Sequence, residues 1–508
     1  MNYACDRSAP TAPIDKLPTE LLIDVFLLVL SGHCQSTSCT SVDTPWDPIS
    51  YPDCLTHVCY RWRMVAISVP SLWTHIDLNP HAPKGESLID YARNYAHRSG
   101  TLPLELRLRD KACVRNDAYI MKNVFLLLGP RTKSLDFTIT SPEILHFHRF
   151  VFEYLLPRIS PRVFKTLRIS CEVSLPDSFI AGRDSDPWVV FDSDNPNDYD
   201  WGPNILHWEQ DFINYSFSGV TNLRLCGVFF NWSSPLYHGL VDLRLTSPPI
   251  GGATDIYVYT LRSILSKCPE LRIFHFSLQL IIHNTTDDES LFEQPEEPVF
   301  LPELEVIHVS TANAYTGRHE SFHVGSLLHL LAPGSKPLQL SLETGHNQNE
   351  HLLASDEMKG FFSRSKVERL CLRNGHQSIN DLRFCHLPVL KFLVLDSCRH
   401  ISAFADPSWP LVLQSVFVNA ATLTLEDLRS IVGLCPDGLV LSRCMVLRML
   451  MGQETALKSV PEVELQAIFP AVNFTTEDRL WCNLVAHWGL LISSSSLMYS
   501  CATVWFIS

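Results

Sequence analysis

Residues 21–30, LLIDVFLLVL, hold a single polar side chain, Asp24. A helix at the surface of a water-soluble domain needs one apolar stripe, and this segment is apolar all the way round. Leu22, Phe26 and Val29 form one stripe at helical spacing, and Leu21, Val25 and Leu28 form another. One stripe can pack on a neighbouring helix, which leaves the other in need of a cover. A polar, turn-rich stretch then reads as a long loop over residues 31–54. A second helix is predicted from Leu55 to just before Pro70, with Leu55, Val58, Cys59, Trp62, Val65 and Ala66 on a single face. SLWTHIDL follows as a short strand or turn carrying Leu72 and Trp73.

From about residue 100 the pattern changes to short Leu-x-Leu pieces: LELRL at 104, SLDFTI at 134 and TLRIS at 166. Past residue 219 they become a repeat of the form apolar-x-x-apolar-x-apolar. Its units are VTNLRL, LVDLRL, LRIFHF, LEVIHV, PLQLSL, VERLCL, LKFLVL, LQSVFV and PDGLVL, starting at 220, 240, 271, 304, 337, 367, 390, 413 and 436. The last three steps are all 23 residues. Helical or turn segments such as LRSILSKCP, SLLHLLAPG and LEDLRSIVGLCP lie between strands. One such strand cannot bury its apolar face alone, so neighbours must stack into an elongated solenoid.

The pattern divides the chain into a tail (1–13), a helical module (14–78), a linker with the first irregular repeats (79–218), the regular repeats (219–441) and a C-terminal segment (442–508) of unassigned role. The stretch from Leu480 to Ser508 carries no Asp, Glu, Lys or Arg, but SSSS interrupts it. It is read as an element packed on the preceding domain rather than a membrane anchor.

Composition narrows the function. Of 508 residues, 40 are Lys or Arg and 54 are Asp or Glu, a net charge of −14, and no basic run could follow a phosphate backbone, so no nucleic-acid partner is expected. The amino terminus lacks a basic region leading into an apolar run. Sixteen cysteines without a C-x-x-C suit a reducing compartment, and the expected location is cytoplasmic or nuclear.

LPTELLIDVF at 17–26, VCYRW at 58–62 and SLW at 71–73, in that order, resemble an F-box, most closely the fungal F-box-like proteins in which the motif precedes divergent leucine-rich repeats. The resemblance covers residues 14–78 and implies an α+β repeat fold. A trihelical F-box-like module would be followed by an irregular leucine-rich-repeat-like α/β solenoid. It implies no enzyme activity and no cofactor. The module would dock on a Skp-family adaptor, which links it to cullin and RING subunits of a ubiquitin ligase, and the repeats would hold a client protein. The adaptor-binding residues would be Leu17, Pro18, Leu21, Leu22, Val25, Phe26, Val58, Cys59, Trp62, Leu72 and Trp73. A repeat scaffold whose motif has drifted and binds no ligase is the alternative.

Competing chemistry is weaker. HESFH at 319–323 is an H-E-x-x-H, so His319 and His323 with His329 could hold zinc and Glu320 could act as base. Ser326 stands where that zinc-peptidase pattern has glycine, which makes a peptidase the minor alternative. Cys34, Cys39, Cys54 and Cys59 have a loose zinc-like spacing and read as unligated thiols, with Cys59 facing the core. FDSDNPNDYD at 191–200 lacks the glycine and glutamate of a calcium loop and reads as a solvated acidic segment.

If the strand phase is right, one row of side chains faces a client: Arg224, Arg244, His275, His308, Gln339, Cys371, Val394 and Phe417. The row runs from basic through polar to apolar, so the expected client has an acidic end and an apolar end.

Overall fold

The computed structural model describes residues 13–36, 52–78, 85–109, 118–140, 146–171, 179–180, 210–248, 254–281, 297–311, 324–343, 356–373, 387–398, 413–435, 438–449 and 457–475. Three helices come first: α1 (Thr19–Ser36), α2 (Asp53–Val58) and α3 (Tyr60–Ser68). Helix α1 runs past Leu30 into the segment read as loop, since extending an existing helix costs less than starting one. The second helix, expected to be continuous, breaks at Cys59, whose backbone is extended (φ −158°, ψ 171°) and whose Sγ accepts the Trp62 amide at 3.4 Å. The break resets the helical phase, so Val58 and Cys59 are exposed rather than facing the core.

The body is a mixed α/β chain built on one fourteen-stranded sheet, in which every neighbouring pair is parallel and strand order follows chain order. Its first seven strands are β1 (His75–Leu78), β2 (Leu104–Arg109), β3 (Thr132–Ile139), β4 (Thr166–Cys171), β5 (Asn222–Cys226), β6 (Asp242–Thr246) and β7 (Ile273–Ser277). The rest are β8 (Val306–Ser310), β9 (Leu338–Glu343), β10 (Val367–Arg373), β11 (Phe392–Asp396), β12 (Ser415–Asn419), β13 (Leu439–Ser442) and β14 (Asn473–Thr475). Every Leu-x-Leu piece from LELRL to PDGLVL is one of these strands. The sheet also extends beyond the repeat block at both ends, from β1 at the end of the helical module to β14 inside the C-terminal segment.

Parallel neighbours need a crossover between them, and many of these crossovers carry a helix. Helix residues such as Phe125, Phe152, Leu261, Leu328, Phe361 and Ile431 join the core formed by one face of the strands. This arrangement of strand, crossover and next strand is solenoid-like. Helix α9 (Val324–His329) is shorter than the SLLHLLAPG segment suggests, because Leu331–Pro333 is a strand paired with Val299–Leu301. Among the described residues no helix is long and apolar enough to cross a membrane. The C-terminal stretch from Leu480 lies outside the described residues.

Turn spacing is tight. A Cβ on Gly219, in the turn before β5, would lie 1.8 Å from the Pro161 carbonyl oxygen, whereas one on Gly433, in helix α11 (Leu425–Leu434), would meet nothing within 4 Å. Gly219→Ala should therefore lower the thermal midpoint clearly, while Gly433→Ala should leave it unchanged or raise stability by up to about 1 kcal/mol. Melting curves of the two variants beside the parent check this, and equal loss in both would refute the close approach.

Candidate functional site

Two regions stand out, an apolar surface on the first helices and a polar row across the sheet. In the first, the inner stripe of α1 is settled by packing. Leu22 and Phe26 are buried, with the Phe26 ring 4.9 Å from Trp62. Leu72 and Trp73 are buried too, and Trp73 Nε1 donates to the Ala66 carbonyl at 2.8 Å. These four support a surface from behind and offer none to a partner. Trp62 is half-buried, as is Leu17, whose carbonyl accepts from the Arg61 guanidinium; Pro18 is exposed just ahead of α1.

The outer stripe is uncovered. Leu21 is 51% exposed and Leu28 70%, with Val25 between them also exposed. Val29, assigned by its spacing to the inner stripe with Leu22 and Phe26, is exposed as well. Helix α3 presents a stripe of the same spacing, Tyr60 (76% exposed), Met64 and Ile67, and Val58 stands exposed beside the break (58%). Apolar surface of this density is uncommon on a chain that works alone. Tyr60, Met64 and Ile67 were not among the residues expected from the sequence, which picked out only the opposite face of this helix, that of Trp62, Val65 and Ala66.

Behind this surface the helices are tied to the next layer. The Tyr95 hydroxyl, on helix α4 (Gly85–Arg98), donates to Asp53 Oδ2 at 2.9 Å. The Arg98 guanidinium lies 4.1 Å from the Trp73 ring and pairs with Asp53 at 3.4 Å.

The second region is the sheet face turned away from the helices. Strand register places Arg224, Arg244, His275 and His308 side by side. The next position is Ser341 and not Gln339. Leu340 and Leu342 face the core, so Gln339, Ser341 and Glu343 share the other face, and Gln339 falls two residues short along the strand, opposite Val306. Cys371, Val394 and Phe417 then complete the row. Cys371 and Val394 are buried, as are Arg244, His275 and Gln339 of the same face. Burial also pushes the Cys371 thiol up to about 11, so it is no ready nucleophile.

The row also runs further back than expected, through Arg168, Asp136 and Arg107 to Asp77. Here charges alternate: Asp136 pairs with both Arg107 and Arg168 at 3.5 Å. The basic end is therefore partly neutralised. The repeat rule applied to LELRL, SLDFTI and TLRIS yields these three residues, so their place was available in the sequence.

Asp242 was not foreseeable in the same way. It lies two residues before Arg244 on the same strand face, accepting from Arg244 Nε (2.8 Å) and Nη2 (3.1 Å) and from Arg224 Nη2 (2.9 Å). Three nitrogens of the row, Arg224 Nε, Arg244 Nη1 and His275 Nε2, are buried without a hydrogen-bond partner. The His275 and His308 rings lie 5.2 Å apart, and His308 Nδ1 is 3.0 Å from Ser341 Oγ. Burial first, then Arg244, His308 and Arg224, hold His275 well below the usual imidazole range. Burial, followed by Arg373 and Arg244, takes His308 down to about 3.

Of the zinc-peptidase residues, His319, Glu320 and His323 lie outside the described residues, and His329 closes helix α9. Among the described residues no group of three or more His, Cys, Asp or Glu side chains could hold a metal ion. Cys34 and Cys39 of the cysteine quartet, and residues 191–200, also fall outside what the structure describes of side chains. Compared with known proteins, the chain matches no family model and no curated protein sequence.

A histidine kept neutral by folding favours the folded state only while the unfolded chain is also neutral. Below the ordinary value of 6.5 the unfolded chain takes up the proton first, so the contribution of His308 shrinks as pH falls from about 6.5 toward about 3. Urea midpoints should therefore drop over that window, and drop less steeply in His308→Asn. A variant with the parent's slope would show that His308 is protonated as easily when folded as when unfolded.

Proposed function

We propose that the protein is a non-catalytic substrate receptor of a cullin-RING ubiquitin ligase. The first helices dock a Skp-family adaptor and the sheet face holds a client protein. The observation that carries this reading is the pair of exposed apolar stripes, Leu21, Val25 and Leu28 on α1 and Tyr60, Met64 and Ile67 on α3, on the segment whose sequence resembles an F-box. A contiguous exposed apolar patch of this kind marks an interaction site, and Tyr60 within it is a residue type that tends to dominate interface energy. The solenoid-like sheet supports the second half of the reading, read as divergent leucine-rich repeats. Stacked repeats offer a long surface suited to a polypeptide, and no enzyme chemistry is needed. Holding a client beside a ubiquitin donor raises their effective concentration, and positioning is then the whole mechanism.

Full-length protein mixed with a purified Skp-family adaptor should form a stable complex. Leu21→Asp and Val25→Asp change exposed positions, so both variants should fold like the parent while losing adaptor affinity by about 30-fold or more. Leu22→Asp is the wrong probe, since Leu22 is in the core and its loss would unfold the surface. No complex with the parent chain would favour a repeat scaffold without a ligase.

A further inference from the structure

The row around Asp242 holds buried donors in excess of acceptors. Arg244 spends Nε and Nη2 on the Asp242 carboxylate, and Arg224 spends Nη2 on it. What is left over is Arg224 Nε, Arg244 Nη1 and His275 Nε2, contributed by three adjacent strands in register. His275 and Arg244 are more than nine-tenths buried. A buried donor without an acceptor loses its water hydrogen bonds and gains nothing, so natural proteins rarely leave one, and three together are rarer still. The three nitrogens are themselves buried, and the Arg224 side chain, 31% exposed, is the one whose movement would admit a ligand to them.

Charge decides what belongs there. Along the row from Asp77 to Arg244, Arg107, Arg168, Arg224 and Arg244 face Asp77, Asp136 and Asp242. Four cations against three anions leave one positive charge. Glu105 and Arg109, on the same strand as Arg107, cancel each other. A second buried guanidinium with orphaned nitrogens, Arg373, is unlike this one: it stands between Glu343 and Asp396 on the neighbouring strands, so its surroundings are already anionic.

We propose that Arg224, Arg244 and His275 bind one carboxylate, supplied by an aspartate or glutamate side chain of the client. Three N–H groups on adjacent strands in register can be met by the two oxygens of a carboxylate, with the His275 tautomer that carries its proton on Nε2. A single negative charge balances the row, whereas a phosphate dianion would overshoot it. The inference rests on the reading that this sheet face captures a client, and it names the feature of the client that is recognised.

The test uses the full chain and three degenerate nonapeptide libraries, identical except for a fixed central Glu, Gln or phosphoserine, with binding read by fluorescence anisotropy. The Glu library should bind about 10-fold tighter than the Gln library, as expected for charge-assisted hydrogen bonds. Arg224→Gln, at a partly exposed position, and His275→Gln should bring the two libraries close to parity. Should Arg244→Gln fail to fold, those two variants still decide the matter. Parity in the parent chain, or a preference for Glu that survives Arg224→Gln and His275→Gln, overturns the proposal. A phosphoserine library that outbinds Glu overturns the assignment to a monoanion. Adaptor binding, measured alongside, separates this inference from the ligase reading: a Glu preference without adaptor binding sinks only the ligase, and adaptor binding with library parity sinks only the carboxylate site.

Discussion

The constraint on which the rest depends is the register of a parallel sheet. With a side-chain period of two, sliding any strand by one residue would turn its leucines to the polar face and its charges into the core. The backbone guards against this at the entry to successive strands. Lys165 N–H donates to the Lys133 carbonyl, Thr221 to Lys165, Val241 to Thr221, Arg272 to Val241 and Glu305 to Arg272, all at 2.8–3.0 Å. That chain of bonds sets where each strand begins. The alternation inside the strand then does the sorting, leucines toward the helices and polar residues away from them.

Such a lock has a consequence for the polar face. Side chains on that face are carried into rows at the spacing of the strands, roughly 4.8 Å apart, whether or not their chemistry suits close company. Four arginines, three aspartates and two histidines end up in one strip. Some of the strip settles its own accounts: Asp136 lies between Arg107 and Arg168, and Asn419 Nδ2 donates to Asp396 Oδ1 at 2.7 Å on the neighbouring row. The two histidines adapt differently, by shedding their protons, since burial and neighbouring guanidinium groups both disfavour the charged ring. Around Asp242 the donors outnumber the acceptors.

How much of this was legible from the residues follows from which signals are local. The strands from LELRL to PDGLVL could be read because alternation is written in each segment by itself. The outer stripe of α1 could be read for the same reason. The second helical stripe, Tyr60, Met64 and Ile67, has the same local spacing on the face opposite Trp62, Val65 and Ala66; what no glycine or proline marks is the break at Cys59 that leaves Val58 exposed. Ser341 was missed in favour of Gln339 although it holds the same place in PLQLSL that Arg224 holds in VTNLRL, so the repeat itself pointed to it and the pairing with His308 agrees. Asp242 was missed because its partners come from its own strand and the one before, a relation that exists only once β5 and β6 lie in register. Burial of Cys371 and Val394 is likewise a property of the assembled face, invisible in a pattern of apolar and polar letters.

The same register bears on how the two candidate sites relate. Strand β1 closes the helical module and is also the first strand of the sheet, so no flexible linker separates them. Trp73 ties α3 to that strand's approach, and Asp53 ties α2 to α4 through Tyr95 and Arg98. From β1 to the strand of Arg244 there are five inter-strand steps, about 24 Å at the usual spacing. A receptor that works by position needs a fixed distance between the surface that docks and the surface that captures, because every degree of freedom between them dilutes the effective concentration of what it holds. Under the proposed reading, the sheet is the ruler that sets this distance, and the buried Trp73 that anchors its first division matters to function although it touches no partner.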